Sequence, residues 1–319
     1  MKYIDVFNGD ADGICALHQL RMTEPRPAQL ITGVKRDIQL LSRLADMKHA
    51  TVTVLDVSLD SNRQGLLALL ANQCRVFYAD HHFAGDIPQN YNLETHIDPH
   101  PETCTSLIID QLINGKYRLW AVVGAFGDNL NQKALEKAKS LSLSTIEISQ
   151  LKELGELLNY NGYGASVDDL HFPPQILYEA IRPFESPFDF YHQSQELEQL
   201  KHGFGSDMDQ AAKISALLET DAVRLFRLPA ESWSRRVSGV FINAKTHEKP
   251  SKAHALVVAN TDGTDRISVR APLDNKTGAD TLCLAFPTGG GRAGAAGVNA
   301  LPADSFHDFC KAFETTYTV

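Results

Sequence analysis

Two tryptophans in 319 residues, five cysteines without a C-x-x-C pair, and no apolar run near the roughly 20 residues of a membrane span are what this sequence offers least. Cys15, Cys74, Cys104, Cys283 and Cys310 are odd in number and far apart, so they read as buried thiols, not as a zinc site or a disulfide frame. The amino terminus lacks the basic and apolar blocks of a secretory signal, which makes the cytoplasm the expected compartment, with no membrane partner. Positive charge is also short. Lys and Arg number 30 against 39 Asp and Glu, a formal charge of −9, which disfavours tracking a long phosphate backbone by counterion release and leaves short anionic substrates open. Repeats and low-complexity tracts are missing. What remains, with 43% apolar residues, is a globular chain long enough for about two domains.

Tyr3 to Phe7, Ala28 to Thr32, Thr51 to Val57 and Arg75 to Ala79 read as buried strands, and Ile14 to Arg21, Arg36 to Met47 and Asn62 to Ala71 as helices between them. Alternation of this kind predicts a parallel sheet with right-handed crossovers, and ligands of such sheets gather outside the carboxyl ends of the strands. Residues 104 to 160 are helical in pattern, 160 to 190 are interrupted by Gly and Pro, and Gln193 to Leu218 reads as a polar helical connector. Farther on, Arg236 to Ala244, Ala253 to Ala259 and Arg266 to Ala271 read as strands, and Gly278 to Phe286 and Ser305 to Thr316 as helices. The expected organisation is an α/β chain: a parallel-sheet domain over 1–190, a helical linker over 191–218 and a smaller mixed-sheet α/β domain over 219–319.

At the strand ends stand Asn8-Gly9-Asp10-Ala11-Asp12-Gly13, then Asp56, then Asp80-His81-His82, and the apolar stretch Val122 to Phe126 runs into Gly127-Asp128-Asn129. Taken singly, Asp12 and Asp56 read as helix caps and His81 as a surface histidine. Taken together they put several carboxylates at one sheet edge, where mutual repulsion calls for cations. Carboxylate and imidazole without thiolate favour Mn²⁺ or Mg²⁺ over structural zinc.

This ordered set resembles the four motifs of the DHH phosphoesterases: Asp10-Ala11-Asp12-Gly13, Asp56 in Leu55-Asp56-Val57-Ser58, Asp80-His81-His82, and Asp128. Gly289-Gly290-Gly291-Arg292-Ala293-Gly294-Ala295-Ala296-Gly297 resembles the GGGHxxAAG signature of the substrate-binding domain in the oligonucleotide-cleaving, nanoRNase-like members. The resemblance implies two ions, usually Mn²⁺ with Mg²⁺ as the alternative, on Asp10, Asp12, Asp56, His81 and Asp128, with Asp56 shared. It implies His82 at the scissile phosphate beside Asp80, and phosphodiester hydrolysis by metal-activated water. Two departures stand out. Val6 and Asn8 occupy positions where members often carry a further anionic or imidazole ligand, and Arg292 replaces the histidine of the glycine signature. Arg292 keeps its charge and presents a fork to phosphate or guanine, while Gly289 to Gly291 form a loop fit to nest an anion. Residues 235–299 carry nine Lys or Arg and five Asp or Glu, +4 in a chain of −9. Arg266, Arg270, Lys245, Lys252 and His254 are weaker candidates for the same recognition face. Thr103 or Thr105 reads as the cap of a helix, with phosphate contact as the other reading.

The expected activity is hydrolysis of very short linear oligonucleotides, such as the dinucleotide pGpG, to mononucleotides. A pAp phosphatase and a cyclic-dinucleotide phosphodiesterase are alternatives, and a pyrophosphatase ranks below them for want of the glycine signature. From another class comes a nucleotide-binding sensor with little catalysis. A homodimer is compatible with all of these.

Overall fold

The computed structural model describes residues 2–318; Met1 and Val319, the outer ends of the two expected domains, lie outside the described residues. Two compact units divide the chain, one running to Gly203 and the other starting at Phe204.

In the first unit, β1 (Lys2–Phe7), α1 (Ala11–Thr23), β2 (Gln29–Ile31), β3 (Ala50–Leu55), α2 (Leu59–Ala71), β4 (Arg75–Asp80) and β5 (Leu93–Ile97) build a sheet of order β2-β1-β3-β4-β5. All its pairings are parallel. Val6, Val52, Val54 and Val76 are branched, fully or nearly buried strand residues, packed with Leu66 and Leu69 of α2. Seven helices follow: α3 (Thr105–Leu112), α4 (Arg118–Gly127), α5 (Asn131–Lys139), α6 (Thr145–Gly162), α7 (Pro174–Ile181), α8 (Pro187–Gln193) and α9 (Gln195–Ala212). The division between the units falls within α9. Helix α1 is buried at every residue from Ala11 to Arg21. Its Arg21 grips Asp5 of β1 through two bonds of 2.7 and 2.6 Å and Thr53 Oγ1 of β3 at 2.8 Å, so helix and sheet share one buried ion pair.

The second unit joins β6 (Leu218–Glu219), β7 (Val223–Leu228), α10 (Ser232–Glu248), β8 (Ala253–Ala259), β9 (Asp265–Arg270), α11 (Ala279–Leu284), β10 (Gly289–Arg292), β11 (Ala295–Leu301) and α12 (Phe306–Tyr317). Its mixed sheet has the order β10-β11-β9-β8-β7-β6, parallel only between β7 and β8, where α10 makes the crossover. Leu225, Val257, Val269, Phe309 and Phe313 lie in its core.

Four local expectations are corrected. The helix expected over Arg36 to Met47 is reduced to a 3-10 turn, Leu40–Leu44. Asn62 accepts from the Leu41 N–H at 3.0 Å and donates to the Ile38 carbonyl at 2.5 Å, taking backbone groups that a helix would need. Arg236 to Ala244 is not a strand but the middle of α10, whose buried Trp233, Val237 and Phe241 recur every four residues. The Pro-containing stretch before 190 holds α7 and α8, because each has Pro at the start of its first turn, where no N–H is required. Cys310 is only partly buried, unlike the other four cysteines. Strands β5, β6, β7, β10 and β11 stand where no strand is expected. Among the described residues no helix is long and apolar enough to cross a membrane.

Candidate metal centre

The first unit's sheet delivers its polar residues to one edge because the ladder runs one residue past its strands. Asn8 N–H donates to the Leu55 carbonyl at 3.2 Å and Asp56 N–H to the Ala79 carbonyl at 3.1 Å, so Asn8, Asp56 and Asp80 end three adjacent strands. Asp56 sits at φ 58, a left-handed conformation that a side chain adopts at a cost, here at the point where the strand must turn into α2. Ser58, not Asp56, caps that helix, accepting from the Ser61 N–H at 3.4 Å.

Asp10 caps α1: its Oδ1 accepts from the N–H groups of Asp12 and Gly13 at 3.0 and 3.1 Å. Gly13 is required there, since a Cβ would collide with the Asn8 carbonyl. Asp12, thus freed from capping its own helix, turns to another. Its two oxygens accept from the backbone N–H of Thr105 at 2.7 Å and of Ser106 at 2.8 Å, the first residues of α3. Neither Thr103 nor Thr105 caps α3; Cys104 holds the N-cap position, and the Thr105 hydroxyl donates to Asp56 Oδ1 at 3.2 Å. Asp128 is the C-terminal cap residue of α4.

These elements bring His81 Nε2 to 3.4 Å from Asp56 Oδ1 and 3.7 Å from Asp128 Oδ2. His82 lies beside His81 with tilted rings whose centroids are 4.5 Å apart, and its Nδ1 meets Asp80 Oδ1 at 2.7 Å. Asp56, His81 and His82 each offer one ligand atom, all within 4.8 Å of one another. Asp10, Asp12 and Asp56 are at most 2% exposed, and Asp80 is fully buried.

Lys35 completes the cluster. Its Nζ lies 2.5 Å from Asp10 Oδ2, 3.0 Å from Asn159 Oδ1 of α6 and 3.6 Å from Asp128 Oδ1. Sequence reasoning missed Lys35, Asn159 and Ser106. Lys35 lies in a segment that reads as leading into a helix, and Ser106 acts through its backbone, which no side-chain pattern records.

The charges respond to this crowding. Burial, with Asp10 and Asp12 adding to it, holds the Asp56 carboxyl well above the ordinary range. Burial and then Asp12 push Asp128 up to about 6. Burial opposes ionisation of Asp10, yet Lys35 outweighs it and lowers its pKa. Burial opposes the His81 imidazolium, but the bond to Asp56 and the charges of Asp12 and Asp128 raise it to about 10. The Cys15 and Cys104 thiols are pushed up by burial first and Asp12 second, so neither is a thiolate ligand.

The donor set fits a divalent cation. Asp12, Asp56, His81 and Asp128 converge as hard oxygens and one imidazole, and Asn8 Oδ1 and Asp80 Oδ2 are buried side-chain acceptors with no hydrogen-bond partner. Asp10 and Asp12 both have their two oxygens engaged by the protein, but only Asp10 meets a cation, the Lys35 ammonium.

In the second unit, Gly289 to Arg292 are not a loop but the edge strand β10, paired antiparallel with β11 as a hairpin turned at Ala293-Gly294. Gly291, at φ 139, has a conformation closed to other residues, and a Cβ there would strike Ala296. Arg292 is exposed. His254 is fully buried and leaves the set of surface candidates, while Lys245 and Lys252 pair with Glu248 and Glu219. Arg270 Nε donates to Asn243 Oδ1 at 2.9 Å.

No family model and no curated protein matches the chain. Solved structures do. The exonuclease RecJ bound to manganese aligns with a TM-score of 0.64 at 15% identity, over 98% of this chain and 89% of that one. RecJ with Mn²⁺ from Thermus thermophilus gives 0.59 at 15% identity and 98% of this chain, which spans only 52% of that longer protein. PggH, a pGpG-specific phosphodiesterase from Vibrio cholerae, gives 0.52 at 13% identity over 98% and 97% of the two chains. The fold of this chain is that of the DHH phosphoesterases, the group its motifs resemble.

Proposed function

We propose that this chain is a divalent-metal-dependent phosphodiesterase that hydrolyses very short linear oligonucleotides, with dinucleotides such as pGpG as the substrate class. The observation that carries the reading is the half-buried His81 imidazole set between Asp56 and Asp128, with the charge of buried Asp12 acting on all three, a crowding of acids whose mutual repulsion a divalent ion would relieve. Bound Mn²⁺, or Mg²⁺ in its place, would lower the pKa of water and offset charge developing on phosphate oxygen. Asp80, buried and bonded to Nδ1, fixes the His82 ring and leaves its other nitrogen free to meet a bound phosphate. Asp56 holds its place through Thr105 and His81, and Asp12 through the N–H groups of α3. Gly289, Gly290, Gly291 and Arg292 are assigned to substrate capture, Arg292 by its charge and fork and the glycines by their place on the edge strand β10, where Gly290 leaves open space. The acidic net charge and the fold shared with a pGpG-specific phosphodiesterase support a short substrate over a long one.

The test is hydrolysis, in saturating Mn²⁺, of a panel of linear dinucleotides, longer oligonucleotides, cyclic dinucleotides, pAp and pyrophosphate, read by chromatography beside Asp80→Ala. Dinucleotide turnover that falls in the variant is expected. Turnover indifferent to the substitution would reject the site, and cleavage of pyrophosphate alone would reject the substrate class. A second reading, a nucleotide-binding sensor, is favoured by one observation, the engagement of Asp10 by Lys35; it calls for dinucleotide binding without turnover in the same panel.

A further inference from the structure

Lys35 is held more firmly than an ordinary surface lysine. Its backbone N–H donates to the Gly162 carbonyl at 2.8 Å, and its own carbonyl accepts from Asn8 Nδ2 at 3.3 Å. Its ammonium lies among oxygens from three elements: Asp10 at the start of α1, Asn159 in α6 and Asp128 after α4. The ring of Tyr163, just past α6, stands 5.7 Å from Nζ, and the side chain is only 23% exposed. Two residues at the end of α6 and just past it, Asn159 and Tyr163, thus face the ammonium, and a third, Gly162, anchors the lysine's backbone.

Asp10 has no oxygen left over. Oδ1 takes two backbone N–H groups and Oδ2 takes the ammonium. A divalent ion on Asp10 would have to expel a half-buried lysine whose backbone is fixed at both ends, or lie beside its charge at close range. Asp12, Asp56 and Asp128 differ. Asp12 gives its two oxygens to neutral backbone N–H groups and Asp56 meets a hydroxyl and His81, while Asp128 lies 3.6 Å from the ammonium against 2.5 Å for Asp10, so the lysine's charge is spent chiefly on Asp10.

We propose that the Lys35 ammonium takes the cation position on Asp10, so that this centre binds a single divalent ion, on Asp12, Asp56, His81 and Asp128. This rests on the metal-dependent reading above and changes its stoichiometry from two ions to one. Lys35 supplies a fixed unit charge in place of an exchangeable ion, and Asn8 spends its amide N–H on the lysine's own carbonyl, leaving only a neutral Oδ1 beside it.

The experiment is metal counting. The full chain is stripped with chelator, dialysed to equilibrium against Mn²⁺ and assayed for manganese per chain, with electron paramagnetic resonance to separate isolated from exchange-coupled ions. One isolated ion is expected in the native chain, one in Lys35→Arg, and two coupled ions in Lys35→Met. Two coupled ions in the native chain would overturn the proposal and leave the metal-dependent reading standing. One ion in both the native chain and Lys35→Met would overturn the role of Lys35. No ion in any folded chain would overturn the proposal and that reading together. Should Lys35→Met fail to fold, Asp10→Asn decides: the one ion is retained if the proposal holds and lost if Asp10 is a ligand.

Discussion

The two units bury acids in opposite ways. In the second, Asp207 and Asp265 lie inside, and each meets an arginine fork: Arg236 at 2.8 and 3.0 Å, Arg227 at 3.0 and 2.8 Å. The first unit does the same with Asp5 and Arg21 and with Asp110 and Arg118, but not at its sheet edge. There Asp12, Asp56 and Asp80 are as deeply buried with no arginine beside them, held by backbone N–H, a hydroxyl and imidazoles. A buried carboxylate with its own guanidinium is a structural joint, because its charge is already answered. A buried carboxylate without one keeps an unanswered charge that a bound cation would offset, and that distinction marks the acids proposed here as ligands.

The contrast can be tested at each kind of acid. The largest effect belongs to Asp56→Ala, which removes the proposed central ligand: hydrolysis should fall about a thousandfold or more, several kcal/mol of transition-state stabilisation. Metal-free stability, read by urea denaturation, holds or rises, since a repelling carboxylate has gone; a large destabilisation would make Asp56 a structural joint after all. Arg21→Met should do the reverse, leaving Asp5 buried without its partner at a cost of about 3–5 kcal/mol in the same measurement. Manganese binding by the chain that remains folded is unchanged.

Acid should strain both units through neutral imidazoles. Burial, opposed by the bond to the Phe184 carbonyl, lowers His18 to about 4; burial and then Arg224 lower His254 to about 4. Both are neutral in the fold at neutral pH, while in the unfolded chain they take up protons below about 6.5. Their contribution is therefore complete above that value and is lost as pH falls toward 4, by up to about 1.4 kcal/mol per pH unit for each. Urea midpoints measured across this window should decline, less steeply in His18→Gln; equal slopes would show that His18 is not held neutral. The smallest effect is that of Arg292→Ala on the exposed edge of β10. Stability stays within about 0.5 kcal/mol, while KM for a dinucleotide rises about tenfold with kcat unchanged, the loss of one charge-assisted contact. A fall in kcat alone would remove Arg292 from substrate capture.

Much of the first unit's architecture is legible in advance. Strands of consecutive branched apolar residues announce a sheet buried on both faces, and the acids at their ends announce its ligand edge. Legibility ends where tertiary contacts override local pattern. Leu40, Leu41 and Leu44 have helical spacing, but Asn62 claims the neighbouring backbone groups. Val237 and Phe241, four residues apart, suit one buried helix face, although the short apolar run around them reads equally as a strand. Gly289 to Gly291 read as a loop because glycine carries no side-chain signal of pairing, yet they form an edge strand.

Sequence alone determined the kind of chemistry, since carboxylates and imidazoles following apolar strands of a parallel sheet must reach the same edge whatever the rest of the chain does. It could not determine how those charges are balanced. That Asp12 is answered by the first N–H groups of α3, and Asp10 by an ammonium 25 residues along the chain, depends on distances between elements far apart in sequence. Electrostatic compensation follows separation in space, and only the folded chain fixes that separation.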